Sequence, residues 1–218
     1  MCDRPCEPAC RRGRVEEQPV AICRLKRVAA DYKDDIKDRL PEIPTEKNGK
    51  RVALIGAGPA SLAVARDLLP LGYEIVLFER DPKAGGMMRS QIPLFRLPVE
   101  VLDEELDYIL DMGIECHFDT EIESLHELLQ QDFDAIFVGT GAPMGRWLKI
   151  PGHDKLGDYV TTGINWLSNV SFKHVDSIGK RVVVLGGGNT AMDCCRTAKR
   201  LGAEAVSYTH LTLPTTLS

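Results

Sequence analysis

The sequence predicts an α/β fold in which two β-α-β units follow a short, helical, cysteine-rich segment. Three observations predict it. The apolar run Val52-Ala53-Leu54-Ile55 leads into the glycines Gly56-Ala57-Gly58. The same pattern restarts at Arg181-Val182-Val183-Val184-Leu185, ahead of Gly186-Gly187-Gly188. Four of the seven cysteines, Cys2, Cys6, Cys10 and Cys23, crowd the first 23 residues. A strand that meets glycines and then a helical pattern marks a β-α-β unit.

Residues 1 to about 48 are polar and poor in strand signals. Val20 to Tyr32 reads as a helix with Ile22, Leu25, Ala29 and Ala30 on one side. Asp31 to Lys50 is charged, contains Pro41 and Pro44, and reads as a connector. After the strand at Val52, Ala60 to Leu69 has helical spacing, and Pro70 and Gly72 stop it. Glu74 to Glu79 is the next strand. Pro98 opens a helix whose apolar stripe is Leu102, Leu106, Ile109 and Leu110, with Gly113 as its stop. Ser124 and Glu127 form a capping box for a short helix. Asp134 to Gly139 reads as a buried strand ending in Gly139-Thr140-Gly141. Pro143 to Lys180 is irregular, apart from a helix around Ile164 to Val170. Thr190 to Leu201 is the helix of the second unit.

The composition is that of a globular protein: 44% hydrophobic and 27% charged. A formal net charge of −5 argues against a nucleic-acid partner. No apolar run approaches the roughly 20 residues needed to span a bilayer, and the first residues carry no apolar leader. A cytoplasmic, non-membrane protein is expected. The odd cysteine count argues against a disulfide framework.

The first turn reads Gly56-Ala57-Gly58-Pro59-Ala60-Ser61. A dinucleotide's pyrophosphate sits on free amides at a helix N-terminus. The first glycine permits the tight turn, the second lets phosphate approach, and the third position lets helix and strand pack. Ser61 holds that third place. Glu79 ends the next strand, where a carboxylate accepts ribose hydroxyls. Gly85-Gly86, where a flavin would run over the backbone, and the strand-to-glycine turn at Gly141 point to FAD. The cofactor-binding residues expected here are Gly56, Gly58, Pro59, Ala60, Ser61, Glu79, Gly86 and Gly141. The plainer reading is a tight strand–helix turn and a glycine corner with no ligand.

The second turn, Gly186-Gly187-Gly188-Asn189-Thr190-Ala191, is assigned to NAD(P), with Gly186, Gly188, Asn189 and Thr190 as binding residues. The fold class is therefore two Rossmann-type dinucleotide-binding units, FAD then NAD(P). An acid after the next strand would favour NAD and an arginine NADP. Tyr208-Thr209-His210 is neither. Asp193 reads as a solvated mid-helix acid, and Cys194 and Cys195 as packing residues. The five histidines are scattered and have no metal-ligand spacing.

Thiolates are the usual ligands of iron–sulfur clusters, so Cys2, Cys6 and Cys10 are candidate metal ligands. Zinc, and reduced cysteines that bind nothing, fit the same spacing. No nucleophile–base constellation appears, so no catalytic side chain is expected.

Five segments carry a family resemblance: Cys2 to Cys10, Gly56 to Leu62, Ile92-Pro93 to Leu97-Pro98, Phe133 to Ala142, and Gly186 to Asp193. In these the chain resembles the glutamate synthase small-subunit family of NAD(P)H:FAD/iron–sulfur oxidoreductases, which includes the N-terminal half of dihydropyrimidine dehydrogenase. The resemblance implies hydride transfer from NAD(P)H to FAD, then single electrons through [4Fe–4S] clusters to a partner catalytic subunit or acceptor protein. It implies that Cys2 and Cys6 serve one cluster and Cys10 another, with Cys23 or Lys26 near an undecided fourth ligand. Gln91 departs from the family, which usually has glycine beside the flavin.

On this resemblance, residues 1–48 are the end of a helical iron–sulfur domain plus connector, and 49–150 the first part of an FAD domain. Residues 151–178 are a linker, 179–206 the start of an NAD(P)H domain, and 207–218 a non-native tail. A chain cut in this way is expected to be unstable and inactive alone. Other jobs stay open: NADPH supply to a ferredoxin, iron or pyrimidine reductase, or an inactive nucleotide-binding fragment.

Overall fold

The computed structural model describes residues 4–147, 151–152 and 155–209. Two compact units are present, residues 1–41 and 42–218.

In residues 1–41, turns over residues 5–9 lead to a 3-10 turn, Arg11–Arg14, and to helix α1, Ile22–Asp31. The predicted apolar side of α1 buries no residue. Leu25 is 59% and Val28 53% exposed. Periodicity placed the helix correctly but not its burial.

Residues 42–218 hold a four-stranded parallel sheet in the order β3-β2-β1-β4. The strands are β1 Arg51–Ile55, β2 Glu74–Phe78, β3 Glu115–His117 and β4 Ala135–Val138. Alternation along β1 sorts its side chains onto two cores. Val52 and Leu54 join Ile75, Leu77, Leu62, Ala65, Leu102 and Leu106 on one face. Ala53 and Ile55 join Leu128, with Phe78, Phe133 and Ile136, on the other. Helices α2, Pro59–Leu68, and α4, Val99–Leu110, therefore cover one face, and α5, Leu125–Leu128, covers the other.

The local signals act as the sequence suggests. Pro59 occupies the first position of α2, and Gly72 closes the following turn at φ 86°. Pro98 precedes α4, and Gly113 ends its turn at φ 102°. Ser124 Oγ accepts from Glu127 N at 3.3 Å. The helix expected around Ile164 is α6, Gly163–Ser171, with Thr162 as its cap.

The structure departs from the sequence reading at three points. Asp134 to Gly139 is not a buried strand: β4 pairs only with β1, lies at the sheet edge, and leaves Val138 52% exposed. An edge strand lacks the second neighbour that would bury it. Second, β3 and the one-turn helix α3, Met87–Ser90, were not foreseen. Third, strand character continues past Val206. A two-stranded parallel sheet pairs β5, Arg181–Leu185, with β6, Ala205–Thr209, ending with Val183↔Ser207, Val184↔Tyr208 and Leu185↔Thr209. Backbone pairing extends the strand although Ser207, Tyr208 and Thr209 remain exposed. His210 to Ser218 lie outside the described residues, as do Cys2 and His153. Helix α7, Asn189–Arg200, connects β5 to β6. Among the described residues, no helix is long and apolar enough to cross a membrane.

Candidate functional site

The strand order itself locates a site. From β1 the chain builds outward through β2 and β3 on one side and places β4 on the other. In an open parallel sheet, ligands sit beyond the carboxyl ends of the strands where the order reverses. That point is the crevice between the ends of β1 and β4.

Four glycines converge there. Gly56, directly after β1, has φ 92°, and a Cβ on it would lie 2.8 Å from Gly139 O. Gly139 directly follows β4, and a Cβ there would overlap Ser61 Oγ. Gly58 caps α2 in an extended conformation, φ −81° and ψ 176°, with no side-chain acceptor on the first-turn amides. Gly86 has φ 51°, and its Cβ would lie 2.9 Å from Gly58 Cα. Gly85 N donates to Ala57 O at 2.9 Å, so the second glycine pair is tied to the first turn. Gly86 is thus required for packing on Gly58. Ser61 is fully buried, and its Oγ has no hydrogen-bond partner. The small third position lets α2 lie close to the end of β4, as the fingerprint demands.

Of the predicted residues, Pro59 and Ala60 are exposed at the start of α2. Gly141 stands open beyond β4 at φ 67° with nothing near its Cβ position. Gly139, not singled out from the sequence, makes the close contacts instead. Its position right after the strand was the available signal.

Glu79 is 7% exposed. Its Oε2 accepts from Ala57 N at 2.6 Å and its Oε1 from Asp81 N at 3.0 Å. Two backbone amides therefore fix the carboxylate at the end of β2, and each oxygen retains a lone pair for a ribose hydroxyl. Burial, followed by the charge of Glu79, holds the Asp81 carboxyl above its ordinary value of 3.8; Arg80 opposes this and Asp119 adds to it. A carboxyl with a raised value in the fold favours folding while protonated, at pH below 3.8, and loses that contribution as pH rises through the folded value. Asp81→Asn is therefore expected to raise the thermal midpoint at neutral pH, with the gain vanishing below pH 3.8. Melting curves across that range check it.

The second turn repeats the first. Gly188 caps α7 at φ −79° and ψ 178°, within a few degrees of Gly58. Gly186 has φ 135°, and its Cβ would lie 3.5 Å from Ala191 Cβ. Ala191 thus fills the small third position against the first glycine. A Cβ on Gly188 would meet nothing within 4 Å. Asn189 and Thr190 open the helix and are exposed.

Asp193 is not solvated. It is 6% exposed and forms an ion pair with Arg96, from the loop before α4. Periodicity along α7 could not reveal this, because the partner is 97 residues away. Beside the pair, Phe95 carries the guanidinium groups of Arg200 at 3.9 Å and Arg196 at 4.8 Å. Cys194 packs against α6, its Sγ 3.8 Å from Gly163 O. Burial first, then the Cys195 and Asp193 charges, pushes the Cys194 thiol up to about 12. Burial also raises Cys195. Neither is a thiolate near neutral pH, as packing residues require.

In residues 1–41, Cys6, Cys10 and Cys23 are free and half-buried. Glu7 Oε1 accepts from Cys23 N at 2.9 Å, linking the cysteine run to the start of α1. Hydrogen bonds from the backbone of Val20 and Arg12 lower the Cys10 thiol, favouring the thiolate that ligates metals. Among the described residues, no three histidine, cysteine or acidic side chains are grouped to hold a metal ion.

The model of the family described as pyridine nucleotide-disulphide oxidoreductase matches residues 50–212. The chain is 40% identical to the NADPH-Fe(3+) oxidoreductase subunit beta of Geobacter sulfurreducens, over 94% of the chain and 31% of that protein. It is 37% identical to the NADP(+)-dependent formate dehydrogenase subunit beta of Moorella thermoacetica, over 94% of the chain and 32% of that protein. It is 34% identical to the glutamate synthase [NADPH] small chain of Mycobacterium tuberculosis, over 94% of the chain and 45% of that protein. The chain thus spans a third to a half of the length of these relatives. Among solved structures, FprA of Mycobacterium tuberculosis in complex with NADPH aligns with a TM-score of 0.58 at 23% identity, covering 67% of this chain and 36% of that one. That likeness is one of fold.

Proposed function

The chain belongs to the pyridine nucleotide-disulphide oxidoreductase family, and we propose that it is the cofactor-binding part of an electron-transfer oxidoreductase subunit. It binds FAD at Gly56–Ser61 and NAD(P) at Gly186–Thr190. One observation carries the reading: Gly56, Gly58, Gly86 and Gly139 pack backbone to backbone at the carboxyl ends of β1 and β4, where the strand order reverses.

The residues at the first turn fit FAD. The uncapped first turn of α2 offers the amides of Ala60 and Ser61 to a pyrophosphate. Glu79, fixed by Ala57 N and Asp81 N, accepts from the ribose. Gly86 and Gly141 border the path of the remaining cofactor. FAD there would supply acceptance of a hydride from a nicotinamide and release of electrons one at a time. The protein's part is binding and orientation, which needs no nucleophile–base pair.

The second turn reproduces the first at Gly188 and packs Ala191 under Gly186, which supports a second dinucleotide. Tyr208 and Thr209 at the end of β6 are neither acid nor arginine, so the reading covers NADP and NAD alike. Cys2 and Cys6 are proposed as thiolate donors to one iron–sulfur cluster and Cys10 to another, each with further ligands that the described residues do not supply. A partner subunit as electron acceptor is supported by the names of the relatives, which include subunits of iron- and formate-linked enzymes and glutamate synthase.

The test is spectroscopic. Adding NADPH or NADH without oxygen to the FAD-loaded chain is expected to bleach the yellow flavin absorbance. A chain that binds both nucleotides and keeps its flavin colour would overturn the electron-transfer reading.

A further inference from the structure

Asp193 is the sole acid of α7, a helix otherwise rich in cations, and its side chain is 8% exposed. It lies four residues beyond Asn189, on the same helix face and about 6 Å along the axis from the open turn. A helix N-terminus attracts anions, and a carboxylate so near it opposes a second anion that arrives there. The opposing charge is cancelled, but not from within the second β-α-β unit. Arg96 crosses from the loop between α3 and α4, which belongs to the first unit's side of the sheet, and pairs with Asp193 while itself only 22% exposed. The neighbouring Phe95 is held under Arg196 and Arg200, so the loop is fastened to α7 at two successive residues. Aromatic–guanidinium contacts of this kind add about 0.5–2 kcal/mol each in general.

We propose that Arg96 is a positioning residue for the second glycine turn. Through Asp193 it removes the one negative charge of α7 facing an incoming pyrophosphate, so a loop of the flavin unit sets nucleotide affinity in the other. The inference rests on the dinucleotide reading of Gly186–Thr190. It makes the loop Ile92–Pro98, which adjoins the Gly85-Gly86 turn and α3, the physical link between the two sites.

The pair's two members have opposite predicted effects, which a merely structural salt bridge would not give. NADPH affinity of the 218-residue chain, measured by titration, is the readout. Arg96→Gln leaves Asp193 without this cation and is expected to weaken NADPH about tenfold, or about 1.4 kcal/mol, with the loss shrinking at high salt. Asp193→Asn, which removes the charge and keeps an acceptor for Arg96, is expected to bind no more weakly than wild type. The double variant, with both charges gone, is expected to return to within about threefold of wild type. Should Arg96→Gln fail to fold, Asp193→Asn and the double variant still decide. Equal weakening by both single changes, or a double variant as weak as Arg96→Gln, would overturn the charge-cancelling role. A wild-type chain that binds FAD but no NADPH would instead remove the reading of the second turn, and the inference with it.

Discussion

Gly56→Ala is expected to lower stability by about 2–6 kcal/mol and to abolish FAD binding. Two independent penalties combine. At φ 92° an L side chain is strained, in general by about 1–3 kcal/mol. The added Cβ would also lie 2.8 Å from Gly139 O and 3.1 Å from Gly139 C, and these are backbone atoms at the end of a paired strand. They cannot rotate away as a side chain would, so β4 must shift from β1, at a further cost of about 1–3 kcal/mol. A domain stable by about 5–15 kcal/mol cannot absorb this without partial unfolding at moderate temperature. Chemical denaturation of the two proteins, with FAD titrated into each, measures both effects. An alanine variant within about 1 kcal/mol of wild type would mean that the contact between the two strand ends is looser than the geometry states.

Gly139→Ala is expected to destabilise by about 1–3 kcal/mol, and Ser61→Ala to rescue much of it. The Cβ added at position 139 would overlap Ser61 Oγ and lie 3.0 Å from Phe137 Cε1. Ser61 Oγ is buried and without a partner, so removing it alone is neutral or stabilising by up to about 1 kcal/mol. In the double variant the main obstruction is gone. The two changes are in contact, and a coupling of about 1–2 kcal/mol is expected from a double-mutant cycle. Simple additivity would show that Ser61 is not what makes glycine necessary at 139. The cycle also bears on function, because a shift of α2 moves the amides of Ala60 and Ser61 that are proposed to hold the pyrophosphate.

The parts of this fold that local sequence controls were legible. The strands β1 and β2 stand out because apolar runs of four or five residues end at glycine or at Glu79. Helix α4 stands out because Leu102, Leu106, Ile109 and Leu110 recur with helical spacing, and all four pack on one core. The Ser124 cap and the α6 helix carry their own start signals. What was not legible depends on neighbours. Glu115–His117 is a three-residue edge strand with no alternating apolar pattern, so only its pairing with β2 reveals it. Val138 looked buried because it is apolar, yet exposure at an edge depends on what lies beyond the strand. Asp193 looked solvated because mid-helix acids usually are, and its partner Arg96 comes from a different part of the fold. At the strand-to-glycine turn after β4 the sequence pointed to Gly141, while the contacts single out Gly139, directly at the strand end. Glycine patterns say that backbones must approach, not which glycine makes the closest contact.

The same distinction bears on the expectation that the chain is unstable by itself. The four-stranded sheet has a core on each face, and Leu54, Leu69, Leu77 and Leu128 are almost completely buried. Each such side chain contributes about 1.5–3 kcal/mol relative to exposure. The two-stranded sheet is different, with Val183 68% and Leu185 50% exposed. Folding of the four-stranded sheet with a weaker two-stranded one is the outcome this burial supports.

Equilibrium titration of the purified chain with FAD tests the central claim most directly, with Gly56→Ala as the paired control. The account predicts saturable binding of one FAD per wild-type chain, a rise in the thermal midpoint on binding, and loss of both in the variant. A folded wild-type chain that binds no FAD, or a Gly56→Ala variant that binds it as well as wild type, would contradict the assignment of the Gly56–Ser61 turn as a dinucleotide site.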